Sequence, residues 1–190
     1  MDTGRSVADK LGKGISAQQF VDGMTKNKEA FIGWMEQFSW PSADDREYFE
    51  SLSSRDDLRC LILMADWCGD VVRNVPAVFG ALEVSGIPTE VLIMEENLDT
   101  MDQFLTMGGR SIPVVIFADS DGAVLGTWGP RPKHIQEPMV AFKQANADRE
   151  APDYQDNLAA ARQEIMKRYG EGPGYQALVI KELRELLESF

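Results

Sequence analysis

A cysteine stands where a predicted strand turns into a predicted helix, in the segment Ala65-Asp66-Trp67-Cys68-Gly69-Asp70-Val71-Val72-Arg73-Asn74-Val75-Pro76. Residues 58–65 are apolar apart from Arg59, which predicts a buried strand. Residues 70–84 have the apolar spacing of a helix. We therefore expect Cys68 at a helix N-terminus, where unpaired backbone N–H groups and the helix dipole favour the thiolate over the thiol.

This segment resembles the active-site motif of the thioredoxin superfamily. The family motif, Trp-Cys-Gly-Pro-Cys, stands here as Trp67-Cys68-Gly69-Asp70-Val71. Three further features follow in the family's order: the helix proline Pro76, a segment Arg110-Ser111-Ile112-Pro113-Val114-Val115-Ile116-Phe117 similar to the cis-proline loop and next strand, and Gly129 after the final hairpin. Together these four matches predict the thioredoxin fold.

Periodicity and turn residues predict the same architecture independently of the motif. The predicted elements are, in order, strand 58–65, helix 70–84, strand 88–94, helix 97–106, strand 113–118, strand 123–128 and helix 133–147. This order is that of a minimal thioredoxin fold. We therefore expect an α/β protein, a three-layer α/β/α sandwich around a four-stranded mixed sheet.

Helical extensions are predicted at both ends of this core. They comprise a short helix from Ser16, helices at about 27–38 and from Ser42, and helices at about 154–169 and 175–189. Neither flank carries enough apolar residues for a core of its own. We expect one domain over residues 1–190, with its core at about 58–147, extensions at about 15–55 and 150–190, and a loose or partly ordered start over residues 1 to about 14.

Composition excludes several classes of partner. The chain has 190 residues, of which 31 are acidic and 19 basic, so its formal net charge is −12. This balance argues against nucleic acid and against an anionic membrane surface, since both require clustered Lys and Arg. Residues 1–10 lack the apolar core of a signal peptide, and no apolar run approaches 18 residues, so we expect a cytoplasmic protein. The oligomeric state is not predicted.

Cys60 and Cys68 are the only cysteines, and we expect both to be free thiols. Eight residues of nearly extended chain, at about 3.3 Å each, separate them by more than a disulfide allows. Cys60 is expected to be a buried, inert strand residue.

The resemblance implies a reaction that this chain is able to carry out only in part. In dithiol thioredoxins the first cysteine attacks a substrate disulfide and the second resolves the mixed disulfide, but Val71 occupies the second position. A reaction at Cys68 therefore needs a protein or small-molecule thiol from outside the chain. The implied catalytic residue is Cys68, and the implied substrate-binding residues are Trp67, Gly69, Asp70, Ile112 and Pro113. The resemblance also implies a cis Ile112–Pro113 peptide, with the Ile112 backbone facing Cys68.

Other departures from the family concern the electrostatics of the site. Ile62 replaces the buried acidic residue that serves a resolving thiol, Met64 replaces an aromatic residue, and Asp70 replaces the motif's proline. Asp66 and Asp70 place up to two negative charges near the sulfur. A helix terminus contributes about 0.3–1 kcal/mol, and a nearby carboxylate opposes it by a similar amount. The sequence leaves this balance open.

Two functions are compatible with these residues. The first is monothiol thiol–disulfide exchange, in a protein that resembles bacterial thioredoxin-like proteins with the motif Trp-Cys-Gly-Asp-Cys, the second cysteine having been lost. The alternative is a non-catalytic binding or scaffold module. A glutathione-supported iron–sulfur site, as in monothiol glutaredoxins, lacks a glutathione-binding pattern, so no cofactor and no metal site are predicted. The single histidine, His134, is expected on the surface at a helix start.

Overall fold

A four-stranded mixed sheet forms the centre of the protein. The computed structural model describes residues 4–190, and its strands are β1 (Leu58–Met64), β2 (Thr89–Ile93), β3 (Val114–Asp119) and β4 (Val124–Trp128). Their spatial order is β2-β1-β3-β4. Strand β1 runs parallel to β2 and antiparallel to β3, and β3 runs antiparallel to β4. Because β1 is a central strand, six of its seven residues are buried, Arg59 being the exception.

Helices cover both sides of this sheet, which confirms the predicted thioredoxin-like α/β fold. In the described residues the α-helices are α1 (Ala17–Gly23), α2 (Lys28–Gln37), α3 (Ala43–Ser51), α4 (Gly69–Ser85), α5 (Leu98–Met101), α6 (Lys133–Ala145), α7 (Tyr154–Tyr169) and α8 (Gln176–Leu187). Most ends lie within two residues of the predicted ones. Within residues 4–190 no helix has the length and apolar character that a membrane span requires.

The predicted helix 97–106 is wrong beyond its first turn. Helix α5 ends at Met101, and Thr106 and Gly109 then exchange two backbone hydrogen bonds across a tight turn. Met107 and Gly108, at the centre of that turn, have positive φ angles of 49° and 77°. This left-handed turn is incompatible with a continued helix, and Gly108 favours it because it carries no Cβ.

Residues 4–14 make hydrogen bonds to the rest of the protein, which goes beyond the loose or partly ordered start expected from the sequence, while residues 1–3 lie outside the described residues. Val7 is fully buried, and its N–H donates to the Gly122 carbonyl at 2.8 Å. The N–H groups of Gly12 and Gly14 each donate to the Glu90 carboxylate at 2.9 Å. A Cβ at Gly14 would lie 2.7 Å from that of Glu90, so this glycine permits the close approach.

Helix α4 is packed against both extensions. The Phe31 ring of α2 contacts Phe79 of α4 with ring centroids 5.8 Å apart. On another side, the Arg73 guanidinium lies 5.2, 4.9 and 5.9 Å from the ring centroids of Trp34, Tyr169 and Tyr175. Cation–π contacts of this kind contribute about 0.5–2 kcal/mol each. The position of α4 therefore depends on residues from both ends of the chain.

A substitution at Gly129 tests how closely this residue packs against the backbone of Pro113. Its φ is +124°, and a Cβ there would lie 2.1 Å from the Pro113 carbonyl oxygen. We expect Gly129→Ala to lower the free energy of unfolding by at least about 2 kcal/mol, because the backbone around Pro113 must shift. Urea denaturation measures this change.

Gly174→Ala is the matched control. Gly174 has no positive φ, and a Cβ there meets no atom within 4 Å. We expect its urea midpoint to stay close to that of the wild type. Equal midpoints for the two variants would contradict the steric argument.

Candidate functional site

Cys68 lies at the junction of the sheet and helix α4, as the N-cap residue of that helix. Its sulfur lies 3.5 Å from the Ile112 carbonyl oxygen, to which the thiol donates. The Ile112–Pro113 peptide is cis. Gly69 and Asp70 form the first turn of α4. The structure thus brings Cys68 next to the loop that the resemblance implied.

The side chains at positions 71 and 62 carry no reactive group. Val71 and Ile62 are both fully buried and apolar. Cys60 is buried in β1 and Cys68 is half-buried, and both are free thiols, as predicted. Burial raises the pKa of Cys60. The chain therefore offers Cys68 no partner thiol.

Burial decides the protonation of Cys68 that the sequence left open. Desolvation raises the pKa of the Cys68 thiol, and the Asp70 carboxylate adds to this effect. The N–H groups of Val71 and Asp70 and the charge of Arg131 act in the opposite direction without outweighing it. The net pKa lies above the ordinary value, so the thiol predominates at neutral pH. Burial therefore outweighs the contribution of the helix terminus, which by itself favours the thiolate.

The Asp66 carboxylate is held by the segment between α1 and α2. Its carboxylate accepts hydrogen bonds from the Thr25 N–H at 2.9 Å, the Lys26 N–H at 3.1 Å and the Thr25 hydroxyl at 3.2 Å. Burial opposes its ionisation, but these hydrogen bonds and the Lys26 charge together hold its pKa below the ordinary value. Asp66 therefore anchors the turn between α1 and α2, and Asp70 is the carboxylate that acts on Cys68.

A bidentate ion pair holds Asp70. The Arg131 Nε lies 2.8 Å from Asp70 Oδ1, and a terminal nitrogen of Arg131 lies 2.7 Å from Asp70 Oδ2. The two side chains are 15% and 19% exposed. Arg131 also donates to the Gln136 side-chain oxygen at 2.6 Å. Fixed geometry of this kind makes the pair stronger than a typical surface ion pair.

The C-terminal extension also reaches the site. The Tyr169 hydroxyl donates to Asp70 Oδ1 at 2.8 Å. The buried Asn74 amide nitrogen donates to the Tyr169 oxygen at 2.7 Å, to the Asp70 carbonyl at 2.9 Å and to the Pro130 carbonyl at 3.3 Å. The start of α4 is thus hydrogen-bonded to the loop after β4 and to α7.

Three residues of the site were not predicted from the sequence, namely Arg131, Asn74 and Tyr169. The run Gly129-Pro130-Arg131-Pro132 follows the last strand of the sheet and could have indicated Arg131. Tyr169 lies 99 residues from Asp70 and carries no local signal.

Trp67 forms the exposed side of the site. Its side chain is 48% exposed, and its Nε1–H donates to the Glu95 carboxylate. In the part of the chain that the structure describes, no group of three or more His, Cys, Asp or Glu residues could hold a metal ion. His134 is exposed at the start of α6.

We expect substitutions of Asp70 and of Arg131 to shift the pKa of Cys68 in opposite directions. Asp70→Asn removes a negative charge and leaves Arg131 near the sulfur, so we expect a lower pKa of Cys68 and faster alkylation by iodoacetamide at pH 7. Arg131→Met leaves Asp70 uncompensated, so we expect a higher pKa and slower alkylation. Peptide mapping by mass spectrometry across pH separates Cys68 from Cys60.

Glu137→Gln is the control for a change in net charge, because Glu137 is an exposed carboxylate on α6 that pairs with Arg168. Its alkylation profile should match that of the wild type. Shifts of the same sign in Asp70→Asn and Arg131→Met would contradict the electrostatic argument.

Tyr169→Phe tests the link to α7. We expect a loss of about 1–3 kcal/mol in the free energy of unfolding, because Asp70 loses a donor and Asn74 an acceptor at a buried position. Burial and the Asp70 charge raise the pKa of Tyr169. A raised pKa in the folded state stabilises the protein below the unfolded value of about 10, and this contribution is lost at higher pH. The difference from wild type should therefore shrink above pH 10 in chemical denaturation, and a constant difference would contradict this account.

The chain is similar to one protein family and to solved structures. Residues 14–150 match the family model described as thioredoxin. A 1.5 Å crystal structure of a protein of unknown function from Pseudomonas aeruginosa is similar, at 20% identity and a TM-score of 0.65, over 98% of this chain and 99% of that one. An HIV epitope-scaffold is similar at 19% identity and a TM-score of 0.64, with the same coverage. At these identities the two structures show the fold alone.

No curated protein matches this chain. The family model, however, spans well over half of its length. The chain belongs to the thioredoxin family.

Proposed function

We propose that this protein carries out monothiol thiol–disulfide exchange, with Cys68 as the nucleophile. One observation carries the proposal: the Cys68 sulfur is half-buried at the start of α4, 3.5 Å from the Ile112 carbonyl oxygen. A disulfide bound against the loop of Ile112 and Pro113 would meet this sulfur. Trp67, Gly69 and Asp70 would line the remaining sides of such a substrate.

The reaction balances without a redox cofactor. The Cys68 thiolate, having released its proton to solvent, attacks one sulfur of the substrate disulfide. The substrate S–S bond breaks, a mixed disulfide with Cys68 forms, and the second substrate sulfur leaves with the electron pair and takes up a proton. An external thiolate then attacks the bound substrate sulfur, which releases Cys68. We infer a cytoplasmic location, where such thiols are abundant.

The raised pKa of Cys68 would slow both steps of this exchange, the attack on the substrate disulfide and the release of Cys68. At neutral pH little thiolate is present, so attack is slow. A thiolate of high pKa is also a poor leaving group, so resolution by an external thiol is slow. The buried Val71 offers no internal route. The protein would therefore hold its substrate as a long-lived mixed disulfide.

A non-catalytic binding module is the second candidate, and the same burial of Cys68 favours it. In that case Cys68 would pack against Ile112 as a small apolar side chain. Partners would then bind to Cys68→Ser as they do to the wild type.

Trapping of a mixed disulfide distinguishes the two functions. With glutathione disulfide at pH 8 to 9, we expect one glutathione adduct at Cys68 by intact mass and peptide mapping, none in Cys68→Ser, and a rate that rises with pH. Urea-unfolded protein serves as the reactivity control, because both cysteines are then accessible. Adducts on the unfolded chain but none on folded Cys68 at any pH would support the binding module.

Val71→Cys tests the missing second cysteine. A cysteine at this position is one turn along α4 from Cys68, where an effective concentration of millimolar or more is expected. We expect the Cys68 adduct to disappear at least tenfold faster than in the wild type, with formation of an intramolecular disulfide.

Val75→Cys is the matched control, because residue 75 is also a buried valine of α4 but lies seven residues from Cys68, about 10 Å along the helix axis, which is beyond the reach of a disulfide. Release at equal rates from the two cysteine variants would contradict the assignment of position 71.

A further inference from the structure

A groove opens beside Trp67, on the side formed by the N-terminal extension. It has a volume of about 390 Å³ and lies between α1, the end of β1 and the end of β2. Its floor is apolar and includes the buried side chains of Phe20, Met24 and Ala65. Trp67 is one of its walls and directly precedes Cys68 in the chain, whereas Cys68 itself is not among the lining residues.

The charged groups at this groove are of one sign. Asp66 and Glu95 line it, and none of its lining residues is a lysine or an arginine. Asp66 is engaged by the Thr25 and Lys26 backbone, and the charge of Lys26 reaches it. Glu95 accepts the Trp67 indole N–H and forms no ion pair among residues 4–190. Glu95 is therefore the carboxylate with charge left for a ligand.

An apolar floor, an exposed indole and a carboxylate at the rim match one kind of side chain. The methylene stem of lysine or arginine packs on apolar surface while its charged end stays at the rim. A cation above the Trp67 ring gains a cation–π contact, and the charge of Glu95 adds to it. The formal net charge of −12 also attracts cationic segments. An acidic side chain would meet repulsion from each of these charges.

We propose that this groove binds a lysine or arginine side chain next to the cysteine of a disulfide-bearing polypeptide. The inference rests on the proposed function, because it assigns the substrate class of the same site. The basic side chain occupies the groove while the neighbouring substrate sulfur faces Cys68.

The test compares peptides that differ only beside their cysteine. Each carries lysine, glutamine or glutamate on both sides of a cysteine that is activated as a disulfide with 2-thiopyridine. Attack by Cys68 on the peptide sulfur breaks that disulfide and releases thiopyridone, which absorbance records. We expect release from the lysine peptide to be about three- to tenfold faster than from the glutamate peptide at low salt, with glutamine between them.

One variant changes the charge of the groove without altering Cys68, and a second variant is its control outside the groove. Glu95→Gln keeps an acceptor for Trp67 and removes the charge, so the lysine preference should shrink by about threefold or more. Glu96→Gln makes the same charge change at an exposed neighbouring residue that does not line the groove, and should keep the preference.

Gly23→Leu narrows the groove. Gly23 lines it at the end of α1, has no positive φ, and a Cβ there meets no atom within 4 Å. We expect Gly23→Leu to slow thiopyridone release from the lysine peptide until it approaches the rate for the glutamate peptide. Gly33→Leu, at a similarly open position on α2 outside the groove, should react like the wild type.

A second measurement keeps this inference separate from the exchange chemistry. Titration calorimetry records binding of the same peptides, carrying S-methylcysteine, to Cys68→Ser. Lysine-selective binding that Glu95→Gln weakens would support the groove even if no thiopyridone is released, in which case the exchange function alone fails. Equal binding and equal rates for lysine and glutamate peptides would overturn the groove assignment while leaving exchange at Cys68 intact.

Discussion

Helix α4 is enclosed by the sheet and by the helices of both extensions, and the rest of the structure is arranged around this burial. Eleven of its seventeen residues are buried. The helices α2, α3 and α8 pack on it. Because apolar burial is the dominant favourable contribution to folding, the enclosure holds the first turn of α4 in one place. Cys68 and the Ile112 carbonyl meet as a result.

The same burial that positions Cys68 limits its reactivity. A helix N-terminus stabilises a thiolate by about 0.3–1 kcal/mol at most exposed positions. Removal of the sulfur from water acts in the opposite direction and is larger here, because the pKa of Cys68 lies above its ordinary value. Under the proposed exchange function, a raised pKa of Cys68 would make capture of a disulfide slow. The absence of a thiol at Val71 is consistent with this behaviour.

The C-terminal extension contributes directly to the site. Where the family motif has a proline, Asp70 brings a negative charge to the first turn of α4. Arg131 compensates that charge, and Tyr169 of α7 donates to the same carboxylate. The N-terminal extension supplies the floor of the groove beside Trp67. Tyr169 of the C-terminal extension thus contacts the carboxylate that acts on Cys68, and Phe20 and Met24 of the N-terminal extension line the groove.

Local patterns were sufficient to predict the elements of the fold and the location of Cys68. Apolar runs and turn residues identified all four strands within about one residue at each end. This was possible because a buried strand has a run of apolar side chains that can be read directly from the sequence. The same local patterns did not predict the structure of residues 97–106 or of the glycine-containing segment 4–14, because backbone geometry determines the structure in both segments. In both places a glycine permits a specific turn or contact with a distant residue.

The sequence by itself therefore determined the thioredoxin fold, the single cysteine at a helix start and the absence of a thiol at position 71. Only the tertiary structure decided the protonation of Cys68 and the partners of Asp66 and Asp70. The protonation of Cys68 depends on how much water surrounds its sulfur. The partners of Asp70 are Arg131, which is 61 positions away in the chain, and Tyr169, which is 99 positions away. Neither solvent exclusion nor contacts over such separations leave a periodic signal in the chain, whereas strands and helices do.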